Sequence, residues 1–124
     1  MGDEWVMLCQ ADDLTVEEPH IQVRLGESRC KKVSVTDGPE AYGLSAVVVG
    51  KATVSALPNV AVQAWRRNRS TPLVGFRVDD RGRLVGEAWV PKVGLTPAEF
   101  QCYARTVAVE CDQFEYALTG RDVG

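Results

Sequence analysis

The chain contains a single histidine, His20, among 124 residues. A nucleophile–base pair or an imidazole-bound metal therefore has one candidate to draw on, and no Ser or Cys stands at a recognisable spacing from it. The four cysteines, Cys9, Cys30, Cys102 and Cys111, include no Cys-x-x-Cys pair, which removes the common zinc spacings. Cys102 and Cys111 fall on one predicted helix, more than about 13 Å apart along its axis, too far for a disulfide. All four are read as reduced thiols of a cytoplasmic protein, with Cys111 a small core residue. Basic residues are not in excess: 14 Lys and Arg stand against 17 Asp and Glu, for a formal net charge of −3. That balance excludes a broad nucleic-acid footprint, which needs a basic surface to displace counterions. No apolar run is long enough to cross a bilayer. The opening MGDEWVMLCQADD is acidic and lacks a hydrophobic segment, so it is not a secretory signal, and Met-Gly is not followed by the Ser or Thr that myristoylation favours. No internal repeat, low-complexity tract or linker interrupts the chain, and no motif calls for a cofactor or a metal.

What the chain does contain is ordinary for one globular domain spanning 1–124, with 45% hydrophobic and 25% charged residues. Its sharpest signals lie in the last third. A hairpin, LVGFRVDDRGRLVGEAWVP, leads into an amphipathic segment, LTPAEFQCYARTVAVECDQFEYALTG. Thr96 and Glu99 have capping-box spacing, Pro97 sits where its missing N–H costs nothing, and Leu95 and Phe100 can staple the helix start. Gly120 is placed to end the helix in the left-handed conformation. Phe100, Ala104, Val107, Cys111, Phe114 and Leu118 recur at spacings of three and four and form the expected core stripe. On the opposite side Cys102, Val109 and Tyr116 follow at heptad spacing. They are either scattered surface residues or a second contact, with the N-terminal part of the chain or with a partner subunit.

The first half reads as strands. The apolar run at residues 5–9 comes first, then an acidic turn and a loop through Glu17-Glu18-Pro19. HIQVRL and CKKVSVT alternate apolar with polar residues, and YGLSAVVVG is apolar on both faces over residues 46–49, as a central strand would be. The period changes after Ala52. Leu57-Pro58-Asn59 reads as a helix start, followed by Val60, Ala61, Ala64 and Trp65 at helical spacing and by Arg66, Arg67 and Arg69. Those arginines complement the helix dipole; the alternative is a weak nucleic-acid contact. In the hairpin Val74, Phe76, Val78, Leu84, Ala88 and Val90 face one way and Arg77, Val85, Glu87 and Trp89 the other, while Asp79-Asp80 reads as a turn former. The order predicts an α+β fold: an antiparallel sheet of about five strands with a short helix and a long C-terminal helix packed on one face.

The stretch VQAWRRNRSTPLVGFRVDDRGRLVGEAWVPKVGLTPAEFQCYARTVAVECDQFEYAL resembles the YbjN family, whose fold is similar to that of class I type III secretion chaperones. The shared pattern is an Asn-containing turn at Arg67-Asn68-Arg69, an aromatic strand at Phe76, a D-x-x-G turn, a "grLvgea" strand, a Gly-Leu-Thr helix start and a Cys-Asp-x-Phe-Glu helix. With the KKVSV and YGLSAVV strands it covers roughly residues 20–120. Such chaperones usually begin with an amphipathic helix, whereas residues 5–9 here read as strand. The resemblance implies a non-catalytic chaperone-like module that binds a peptide or protein partner, commonly as a homodimer. An exposed sheet edge can add a partner strand, and Trp65, Val85 and Trp89 can hold side chains of an extended peptide, unless the two tryptophans simply finish the core. The alternatives are a small enzyme with an unrecognised site, since His20 stands alone, and a weak nucleic-acid binder through Arg66, Arg67 and Arg69.

Overall fold

Hydrophobic alternation in the first half and helical spacing in the second resolve into one sheet and a helix layer in the computed structural model, which describes residues 4–120. The Met-Gly start lies outside the described residues. Strands β1 (Leu14–Glu17), β2 (His20–Arg24), β3 (Cys30–Asp37), β4 (Ala41–Val49), β5 (Gly75–Val78) and β6 (Leu84–Pro91) form an antiparallel sheet in the order β1-β2-β3-β4-β6-β5. Helices α1 (Lys51–Ala56) and α2 (Val60–Ser70) lead from β4 to the edge strand β5, and α3 (Pro97–Thr119) closes the chain. The α+β class, the hairpin and the long C-terminal helix stand as expected. The sheet has one strand more.

That extra strand, β1, lies in the segment expected to be a loop. Only Leu14 and Val16 point inward, opposite Val23 and Ile21, so the alternation is too short to read from sequence. Residues 5–9 correct the expectation of a strand: Glu4–Leu8 is a 3-10 helix. Trp5 and Cys9 are buried while Met7 midway between them is 68% exposed, a helical pattern rather than an alternating one. The helix is tied to α3 by the Gln101 side-chain amide donating to the Leu8 carbonyl at 2.8 Å. Nearby, Arg105 grips both Asp13 carboxylate oxygens, at 2.7 and 2.9 Å. Helix α1 was also not expected, because it buries no residue fully and so carries no clear stripe. Strand β4 is central as expected, but Val47 stays half-buried. The β4–β6 register slips between Val47 and Val49, which turns Val48 and Val49 inward in succession.

Helix α3 starts and stops as its sequence dictates. Thr96 Oγ1 accepts from the Glu99 amide at 3.2 Å, Glu99 reaches back to the Thr96 amide at 3.1 Å, and Gly120 ends the helix at φ 68°. Phe100, Ala104, Val107, Ala108, Cys111 and Phe114 are buried on the sheet, with Leu118 partly so. Phe100 meets Tyr42 edge-on at 5.5 Å and Phe114 meets Phe76 at 4.9 Å, the favoured aromatic geometry. Between these pairs the helix lies tightly against β6 at Gly86. A Cβ there would lie 2.8 Å from Phe76 Cε1 and closer still to Cys111 Sγ. All four cysteines are free, Cys9 and Cys111 buried, Cys30 and Cys102 exposed. Burial pushes the thiol of Cys111 up to about 12 and that of Cys9 up to about 11, so both stay protonated at neutral pH.

Gly86→Ala is expected to cost about 1–3 kcal/mol through overpacking, read from the midpoint of urea unfolding. Ellman's reagent should label Cys30 and Cys102 in the native protein at pH 8 and all four thiols after unfolding; fast native labelling of Cys111 would contradict the packing described. The hydrogen bond from Arg105 holds the Asp13 carboxyl below its ordinary range. Its folded value is lower than its unfolded one, so this pair stabilises the fold above the unfolded carboxylate value of about 4 and ceases to as pH falls through the folded value. Asp13→Asn should therefore be about 0.2–1 kcal/mol less stable than the parent at pH 7, with the gap closing in acid and in high salt.

Candidate functional site

The register divides the sheet into two faces. Ile21, Val33, Val35, Leu44, Ala88 and Val90 point toward α3, and their neighbours in sequence form the open face. Trp89 lies on that open face, 61% exposed, with its ring over Gly43. A Cβ at Gly43 would come within 2.9 Å of the Trp89 ring. The glycine thus seats the indole flat on the sheet, and the tryptophan does not complete the core. Val85, on the same face and opposite Val47 and Arg77, is only 5% exposed; it forms a floor and does not project. Arg77 and Glu87, paired at 3.2 Å, border this surface. Val78, expected on the core side, is exposed near the β5–β6 turn. In that turn Asp79 Oδ1 accepts from the amides of Arg81 and Arg83 at 3.0 and 2.9 Å, the turn-forming role read from the sequence.

The open face carries a second feature where β3 and β4 diverge. Their pairing runs only from Ser34 opposite Ser45 to Asp37 opposite Tyr42. Residues 30–33 stay with β2 while residues 46–49 follow β6. A cavity of about 420 Å³ opens at this split, and His20, Lys32, Ser34, Ser45, Arg83 and Val85 are among the residues that line it. His20 is thus brought near two serines and Cys30. Among the described residues no hydrogen bond joins it to any of them.

The helix layer holds the remaining candidates. Trp65, on α2, is 59% exposed, with the Arg69 guanidinium 5.1 Å from its ring centre. Arg66 and Arg67 line a groove of about 430 Å³ between α2 and α3, where Arg67 lies over the ring of Phe114 at 4.8 Å. Part of the arginine cluster is therefore engaged in cation–π stacking within the chain. Cys102, Val109 and Tyr116 are exposed on α3, Tyr116 at 55%. Trp65 and Trp89 sit on opposite sides of the sheet and do not form one site. A residue that sequence reasoning left without a role is Asn68. Its side chain accepts from the Phe76 amide at 2.6 Å and donates to the Phe76 carbonyl at 3.0 Å, pairing with the outer edge of β5 as a neighbouring strand would. The signal was its place at the end of a helix just before a strand.

Neither a protein-family model nor a curated protein matches the chain. Solved structures do match in fold. A chain of the heterodimeric ExoU–SpcU complex from the type III secretion system of Pseudomonas aeruginosa superposes at TM-score 0.64 with 14% identity, over 98% of this chain and 100% of that one. A chain of the ExsC–ExsE complex gives 0.61 with 18% identity, over 94% of this chain and 90% of that one. The Yersinia pestis type III secretion chaperone SycH, solved with a fragment of YscM2, gives 0.53 with 8% identity over 89% and 92%. At these identities the likeness speaks for the backbone and not for the surfaces. The chain has the fold of type III secretion chaperones.

Proposed function

We propose that the chain is a non-catalytic chaperone-like or adaptor module that binds a peptide segment or protein partner, works as a homodimer and acts in the cytoplasm. The observation that carries the reading is the shared fold: it recurs in complexes that pair ExoU with SpcU, ExsC with ExsE, and SycH with a piece of YscM2. The resemblance of residues 20–120 to the YbjN family points the same way. The surfaces agree with it chemically. Trp89 offers a large rigid apolar area on the open face, of the kind that anchors partner segments, and Trp65 does so on the helix layer. The exposed line of Cys102, Val109 and Tyr116 on α3 is the candidate contact between two copies. Among the described residues no helix is long and apolar enough to cross a membrane.

The reading is tested by affinity capture of the tagged chain from its native cell extract beside a sizing run. A reproducible partner is expected, retained several-fold less by Trp89→Ala. The parent should elute at twice the 13.6 kDa chain mass and the Val109→Glu form as a monomer. A strictly monomeric parent, together with variants that capture the same proteins equally well, would remove both surfaces.

A further inference from the structure

The split between β3 and β4 places two strand edges face to face without a ladder between them. Residues 30–33 are paired on one side to β2 and residues 46–49 on one side to β6. Backbone N–H and C=O groups in such a position need partners, and only water or an entering chain can reach them from the open face. The other side is closed by α3: Lys31 pairs with Glu115 at 3.3 Å, Arg29 pairs with Asp112, and Cys111 Sγ lies 3.6 Å from the Ala46 carbonyl. The cleft therefore has α3 as its back wall. Its charge runs against that of the chain. The net charge is −3, yet no carboxylate lines this cavity. The positive charge of Lys31 is met by Glu115 and that of Arg83 by Asp79 at 2.8 Å. Lys32, exposed at the rim, has no ion-pair partner among the described residues. Val47 and Val85 supply an apolar floor, and the volume of about 420 Å³ falls within the range of ligand pockets.

We propose that this cleft is the docking site for an acidic, extended segment of a protein partner; the inference rests on the partner-binding reading above and adds where and by what chemistry. An extended chain offers backbone groups to both bare edges, and its alternate side chains meet Lys32 at the rim and the valines beneath. The carboxylate preference follows from Lys32, which no ion pair among the described residues neutralises, in a cavity whose lining holds no carboxylate.

The test is nitrogen-15 chemical-shift mapping on the full chain with a capped peptide of alternating Glu and Thr, beside the matched peptide of Gln and Thr. The amides of residues 30–33 and 46–49 should move with the Glu peptide, and Lys32→Glu should weaken binding about tenfold or more while leaving the rest of the spectrum in place. Equal binding of the Gln peptide, no effect of Lys32→Glu, or tighter binding of a short oligothymidylate at the same amides would each overturn the proposal. Shifts centred on Trp89 or on β1 would overturn the cleft and leave peptide binding standing. Silence everywhere also overturns it, and the capture experiment then decides the broader reading on its own.

Discussion

The structure depends on how closely α3 lies against β6. At Gly86 the sheet presents no side chain, and the space is filled from above by Cys111 and from beside by Phe76. This contact sets the height of the helix, which in turn lets Phe100 reach Tyr42 at one end and Phe114 reach Phe76 at the other. Both aromatic contacts are edge-on, so neither ring can rotate freely without disturbing its neighbour. Everything on the open face inherits its position from this packing, because the strands whose inner residues lock under α3 carry Trp89 and Val85 on their other side.

The same helix was the most legible part of the sequence, for a physical reason. Its limits are set locally, by Thr96, Glu99, Pro97 and Gly120, and its buried stripe follows the helical period over its whole length. The hairpin was legible in the same way. Where tertiary contact decides, the pattern misled. Trp5 and Cys9 looked like the ends of a strand because the run between them is apolar, but the contact with α3 and the Gln101 bond to Leu8 favour a helical turn. Strand β1 has two inward residues and exists because β2 provides a ladder for it.

For the candidate surfaces, exposure could not be read from residue type. Trp89 and Val85 share a face, yet one projects and the other is floor, because Gly43 leaves room for an indole to lie flat while Val85 is hemmed in by its cross-strand neighbours. The arginine cluster after Trp65 is split between a groove and two aromatic rings, which sequence spacing cannot show. The divergence of β3 from β4 was out of reach altogether. Each strand alternates normally on its own, and only the point at which their pairing stops creates a cavity.

Asn68 has a consequence for how copies of this chain can meet. A sheet with two bare edges can stack against itself end to end without limit, since each added copy exposes a fresh edge of the other kind. Here the β5 end is occupied at Phe76 by a side chain of the same molecule. A strand of another copy would therefore meet, at Phe76, backbone groups that are already paired. The β5 edge is in this way guarded against the strand addition that an open edge invites, by a covering side chain rather than by a charge or a proline.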